Sequence, residues 1–135
     1  MTLTAYQKLE LIFKRLSALG EAEAVLRWDM SAIMPCGGAE ARTEQLAALE
    51  AVQHGLITAS EMADLIPTAE NFNGELNDWQ TSNLHEMKRR WIKATALSEG
   101  LVVALSKACS ACEASWRTAR FESNFSTVSI ECQSS

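Results

Sequence analysis

The chain predicts an all-α fold: about six amphipathic helices packed antiparallel as a helical bundle or array. Three observations lead there. Apolar residues recur at intervals of three and four, as in Leu26, Met30 and Ile33 or Leu101, Leu105 and Ala108, the period of a helix with one buried face. Helix breakers fall between these stretches, at Gly20, at Pro35 to Gly38, at Pro67 and in the Asn- and Gly-bearing segment 71–77. The single strand candidate, residues 127–130, is short and has no partner strand.

Helix one is expected over residues 4–19, with Tyr6, Leu9, Phe13 and Leu16 flanked by Ile12 as its apolar stripe and Gly20 as its exit. Glu21 and Glu23 open a second helix, since carboxylates in a first turn complement its exposed amides. That helix stops hard at Met34-Pro35-Cys36-Gly37-Gly38. Proline holds Met34 extended, and two glycines can take backbone angles that a Cβ resists. A third helix runs back from the corner through Leu46, Leu49, Val52 and Leu56. Thr58 and Glu61 have capping-box spacing for a short helix carrying Met62, Leu65 and Ile66. Pro67 either ends that helix at Ile66 or kinks it on to about Glu70. The fifth helix is expected over residues 78–97 through Leu84, Met87 and Trp91. The sixth follows a Ser98 cap to Phe121, with Leu101, Leu105, Ala108, Cys112, Trp116 and Ala119 on one face and Val102 and Cys109 beside it. Residues 1–121 then form a helical region, and the Ser/Thr-rich residues 122–135 a disordered tail.

Trp28 and Asp29, placed before the corner in an Ala- and Leu-rich helix, are the most informative pair. Trp28 is read as a buried packing residue and Asp29 as a hydrogen-bond acceptor tying two helices together, with Arg42 its partner.

Recognisable catalytic chemistry is missing. His85-Glu86-Met87-Lys88-Arg89 has the outline of a zinc-peptidase HExxH segment, in which two imidazoles one turn apart converge on a metal. Arg89 stands where the second imidazole belongs, and a guanidinium has no lone pair to donate. Cys109 and Cys112 have CxxC spacing but lie mid-helix without a second pair, so they read as small residues of a helix interface. His54 reads as an ordinary surface or capping group, and no Ser/His/Asp or Cys/His arrangement can be assembled with any specificity from only His54 and His85. Gly37-Gly38 lacks the spacing and the lysine of a phosphate loop. No catalytic residue and no metal ligand is therefore assigned.

Twelve Lys and Arg against 17 Asp and Glu give a net charge of −5, which argues against a nucleic-acid partner even though Lys88, Arg89, Arg90 and Lys93 gather in one helix. No apolar run reaches membrane-spanning length, and the N-terminus lacks an export pattern. A cytoplasmic protein with reduced thiols is expected.

The segment from Tyr6 through Glu50 resembles the N-terminus of the thermostable, Taq-type zinc metallocarboxypeptidases. The resemblance continues through NLHEMKRRWIKATAL and LVVALSKACSACEASWRTAR. Its most diagnostic pieces are Trp28-Asp29, Met34-Pro35, Gly37-Gly38-Ala39 and Arg42, then Arg89-Arg90-Trp91, and Cys112-Glu113 with Trp116. It ceases after Phe125, where the family would continue into another apolar helix. The resemblance implies a mainly helical, intracellular, commonly homodimeric enzyme that uses one zinc (or cobalt) ion to remove C-terminal residues from peptides. The family carries its HExxH pair, third metal-ligating Glu and substrate motifs in a part of the chain with no counterpart here. What transfers is structural: Trp28, Asp29 and Arg42 as lid or wall elements. Two function classes follow: an N-terminal portion of such a carboxypeptidase, inactive alone and without a cofactor of its own, or a non-enzymatic helical module that self-associates. In either case, apolar surface along Leu101, Leu105, Cys112 and Trp116 or beside Trp91 is expected to lie uncovered.

Overall fold

The computed structural model describes residues 3–72, 74, 76–124 and 126. They form α1 (Ala5–Ala32), a 3₁₀ turn (Cys36–Gly38), α2 (Ala39–Ile57), α3 (Ser60–Glu70), α4 (Asp78–Thr95) and α5 (Glu99–Phe121). No strand occurs among the described residues, in keeping with the all-α expectation. Residues 125 and 127–135 of the expected tail, with the strand candidate, lie outside them.

Among the described residues five α-helices stand where six are expected, because α1 does not break at Gly20. None of the described glycines has a positive φ, so Gly20 stays helical at a cost of about 1 kcal/mol relative to Ala. A Cβ there would meet only Gln53 Oε1 at 3.7 Å. The helix begins with a reciprocal cap: Gln7 N–H donates to Thr4 Oγ1 at 3.2 Å, and Thr4 N–H donates to Gln7 Oε1 at 3.0 Å.

Thr58 and Glu61 do not form the expected box. Residue Ala59 precedes α3 with no side-chain cap, because the Thr58 hydroxyl donates instead to the His54 carbonyl at 2.7 Å. Pro67 is carried inside α3, which continues to Glu70. The ring removes the amide that would reach Ala63, yet Met62, Leu65, Ile66 and Ala69 remain buried, so packing outweighs the lost bond. A capping box forms instead at α4, where Asn77 accepts from Gln80 N–H at 2.8 Å and Gln80 returns the bond at 3.1 Å.

The chain divides into two compact units, Met1–Ala22 with Val52–Glu99 and Glu23–Ala51 with Gly100–Ser135. The core of the first gathers Tyr6, Leu9, Phe13 and Leu16 of α1, Ile57 of α2, Met62, Leu65, Ile66 and Ala69 of α3, and Leu84 and Met87 of α4. Trp91 packs half-buried against it. Arg90 lies over the Phe13 ring at 5.4 Å, and Lys88 pairs with Glu70 at 2.8 Å.

Tyr6, the single tyrosine of the chain, is buried in this core and accepts a hydrogen bond from Asn83 Nδ2 at 3.1 Å. Burial pushes its phenol above the ordinary value of 10.0, the Asn83 bond works against that, and the charge of Glu10 adds to the rise. The unfolded chain therefore loses this proton at lower pH than the folded one. The stabilisation is complete below about pH 10 and is lost as pH climbs from there through the folded value. Tyrosinate absorbance should titrate above pH 10 in buffer and near 10 in concentrated urea; coincident titrations would contradict the burial of Tyr6.

Within the second unit, Met30, Leu46 and Ala47 are buried, as are Ser106, Ser110 and Ala119 of α5. On α5 the expected apolar face is buried only at Ala119, and its line of Leu101, Leu105 and Trp116 lies uncovered, as expected of that surface. Leu101, Leu105 and Trp116 are exposed, Cys112 is half-buried and Cys109 is exposed, so Cys109 is not the interface residue the sequence suggests. Period alone finds the apolar stripe but does not say what covers it.

Candidate functional site: the corner between α1 and α2

The corner is built from the end of α1, the turn and the start of α2. Met34 N–H donates to the Asp29 carbonyl at 2.9 Å, closing the last turn of α1, and Gly38 N–H donates to the Pro35 carbonyl at 2.9 Å. Pro35 has φ −66° and ψ 153°, an extended residue that redirects the chain. The glycines serve the corner differently from the expected special angles. A Cβ on Gly38 would stand 3.0 Å from Met34 Cγ, whereas one on Gly37 would meet nothing within 4 Å. Gly38 is a close-approach residue; Gly37 has no steric reason.

Across this corner Arg42 Nη2 donates to Asp29 Oδ2 at 2.5 Å, and Arg42 Nη1 donates to the Leu26 carbonyl at 3.2 Å. One guanidinium thus binds both a side chain and the backbone of α1, the fork geometry that lysine lacks. The expected Asp29–Arg42 pairing is present, and Met34, Pro35 and Gly38 fix its frame.

Trp28 contradicts its expectation. It is 60% exposed, with Val25 at 62% and Ile33 at 67%, because Met30 rather than Trp28 lies on the buried face of this part of α1. The wide apolar content of the helix means that more than one stripe could face inward, and the tryptophan is on the outer one.

A second constellation, unexpected from the sequence, centres on Arg27. Its Nε donates to Glu23 Oε1 at 2.8 Å, Nη2 donates to Glu50 Oε1 at 2.5 Å, and Nη1 stands 3.9 Å from Glu113 Oε1. Burial alone lowers the affinity of the Arg27 guanidinium for its proton, but the Glu23 bond and the charges of Glu23, Glu50 and Glu113 outweigh it and raise its pKa above the ordinary guanidinium value. The charge is locked. The four-residue spacing of Glu23 and Arg27 is a helix-pair signal that sequence displays; the partners on α2 and α5 needed the fold. Lys107 adds a link from α5 to Glu44 of α2 at 2.8 Å. Of the remaining motif residues, Glu113 joins the corner through Arg27, Trp116 lies under Arg120 at 5.3 Å, Cys112 is half-buried on α5, and Trp91 belongs to the first unit.

Carboxylates held this way are ion-pair anchors, and the residues present do not fit a catalytic zinc. No group of three or more His, Cys, Asp or Glu able to hold a metal occurs among the described residues. Glu86 accepts from Arg89 Nε at 2.9 Å, so the HEMKR segment pairs its carboxylate with the guanidinium that replaces the second imidazole. His54 is buried in the last turn of α2, so of the surface and capping roles expected of it the surface one does not hold.

A family profile described as carboxypeptidase Taq (M32) metallopeptidase matches residues 8–134. The chain belongs to this family. The match runs past Phe125, where the motif-level resemblance ceases. Thermostable carboxypeptidase 1 of Thermus thermophilus is 32% identical over 120 residues, spanning 86% of this chain and 23% of the relative. Thermostable carboxypeptidase 1 of Pyrococcus furiosus is 25% identical over 114 residues, 84% of this chain and 23% of the relative. The solved structure of Trypanosoma cruzi metallocarboxypeptidase 1 superposes with a TM-score of 0.72 at 31% identity, over 94% of this chain and 25% of that one. The crystal structure of BsuCP superposes at 0.87 with 24% identity, over 94% and 26%, and supports the fold. The chain therefore spans about a quarter of the carboxypeptidase Taq relatives it matches.

Proposed function

We propose that residues 1–121 constitute the N-terminal helical region of a zinc-dependent carboxypeptidase that removes C-terminal residues from peptides, and that this chain alone does not hydrolyse them. The observation that carries the reading is the family match over residues 8–134 at about a quarter of the relatives' length. Peptide hydrolysis in a metallopeptidase needs a metal to polarise the carbonyl and generate the nucleophile, with a base beside it. The donor set described above offers neither. In this reading Trp28, Asp29, Met34, Pro35, Gly37, Gly38, Arg42, Trp91, Cys112, Glu113 and Trp116 are structural residues of the family's helical wall. Zinc or cobalt, peptide substrate, cytoplasmic setting and the homodimer belong to the full-length enzyme. Incubating the pure chain with a blocked dipeptide, with and without zinc or cobalt, should release no C-terminal residue. Metal-dependent release would overturn the reading.

The exposure of Leu101, Leu105 and Trp116 along α5 favours a second reading, self-association, because apolar residues aligned on one helix face make a surface that partners cover. Sedimentation at micromolar concentration should show association, and Leu105→Lys should weaken it. A strictly monomeric chain would remove this reading and leave the first standing. No described helix is long and apolar enough to cross a membrane.

A further inference from the structure

The second unit contains a recessed cavity of about 150 Å³ lined by Met30, Met34, Ala39, Ser110, Ala114 and Arg117, among others. It borders the corner through Met34, Cys36 and Ala39, but none of the ion-pair anchors lines it. Its composition is asymmetric. Two methionines and two alanines give it an apolar wall, while Arg117 is its one charged lining residue among those described. Arg117 is half-buried and makes no ion pair among the described residues. Ser110, 1% exposed, lines the same cavity, and its Oγ has no hydrogen-bond partner there. A buried hydroxyl without a partner costs free energy, so Ser110 is a group waiting for an acceptor. Thr43 and Thr118 also line the cavity, but their hydroxyls already donate to the Ala39 and Ala114 carbonyls, at 2.9 and 3.3 Å.

We infer that this cavity binds a small aliphatic carboxylate. The carboxylate would pair with Arg117 and accept the Ser110 hydroxyl, and the short branched tail would lie against Met30 and Met34. A space of about 150 Å³ suits a benzene-sized molecule, so the ligand is a short acid rather than a peptide or a nucleotide. Guanidinium and carboxylate match in charge and in planar geometry. The methionine wall adapts to branched tails, which a bare inorganic anion would not engage.

Isovalerate is the probe. With methionine methyl groups labelled with ¹³C, titration of the full chain should shift the Met30 and Met34 signals with a dissociation constant of about 1 mM. Met62 and Met87, in the core of the first unit, should not move. Arg117→Gln should weaken binding at least tenfold while the Met62 and Met87 signals stay in place, showing that the fold persists. Ser110→Ala should weaken binding several-fold and leave the protein as stable as before or more so, which a merely structural hydroxyl would not do. Isovaleramide and inorganic phosphate should each bind at least tenfold more weakly than isovalerate. Absence of any Met30 or Met34 shift at concentrations well above millimolar overturns the inference. So does equal affinity for the Arg117→Gln protein, for the amide or for phosphate.

Discussion

Leu9→Ala should lower the stability of the chain by about 2–5 kcal/mol, the usual cost of emptying a leucine site in a packed core. Leu9 is fully buried, and its neighbours in the cluster come from α1, α2, α3 and α4, so no single element can shift to fill the space it leaves. Leu11, two residues on and 55% exposed, supplies the control within the same helix. Leu11→Ala removes the same atoms and should change stability by less than about 0.5 kcal/mol. With a urea slope of about 1–3 kcal/mol per molar, the Leu9 variant should unfold at a midpoint roughly 1 M or more below the parent, and the Leu11 variant close to it. Equal losses from the two would mean that the first unit lacks the core described for it.

Leu9 also shows how far the apolar period of a helix carries by itself. The stripe of Tyr6, Leu9, Phe13 and Leu16 is dominated by one period and is buried as expected. Met62, Leu65 and Ile66 on α3 likewise point inward. Where apolar residues surround a helix, the period loses its power. Between Gly20 and the corner, Val25, Leu26, Trp28, Met30 and Ile33 offer competing faces, and the one chosen buries Met30 and leaves Trp28 out. The cost of several kcal/mol that a buried tryptophan would imply therefore does not apply to Trp28. On α5 the inward face holds Ser106 and Ser110 and the large apolar side chains face out. An apolar stripe need not be covered within the chain, and on α5 the exposed line of Leu101, Leu105 and Trp116 is where uncovered surface is expected.

The site was legible in a similarly uneven way. Asp29 and Arg42 stand on opposite sides of a corner that Pro35 makes obligatory, so their pairing follows from local geometry. The reach of Arg27 to Glu50 and Glu113 spans three helices, and only the first link, Glu23, lies at a spacing that sequence displays. Gly38 shows a subtler limit. The sequence marks it as a glycine of the turn, but its reason is the approach of Met34 rather than a special φ, a distinction that depends on where one side chain points.

Arg42→Ala should cost about 1–3 kcal/mol, and Asp29→Ala distinctly less. The asymmetry follows from what each truncation leaves behind. Removing Arg42 strands the Asp29 carboxylate, whose side chain is 28% exposed, and takes a donor from the Leu26 carbonyl; unsatisfied, partly buried acceptors of this kind are costly. Removing Asp29 leaves Arg42, 16% exposed, still bonded to the Leu26 carbonyl, with a long side chain able to swing toward water. A double-mutant cycle should give a coupling of about 1–2 kcal/mol, above the 0.2–1 typical of fully exposed pairs because solvent reaches both partners only in part. Raising salt toward 1 M should reduce that coupling without abolishing it. Arg42→Lys should recover less than half of the loss, since an ammonium cannot hold the carboxylate and the backbone carbonyl in one planar fork. Urea unfolding of the four proteins of the cycle and of the lysine variant measures all of this. A coupling below about 0.3 kcal/mol, or full recovery by lysine, would reduce the pair to a surface contact and remove it from what holds α1 to α2.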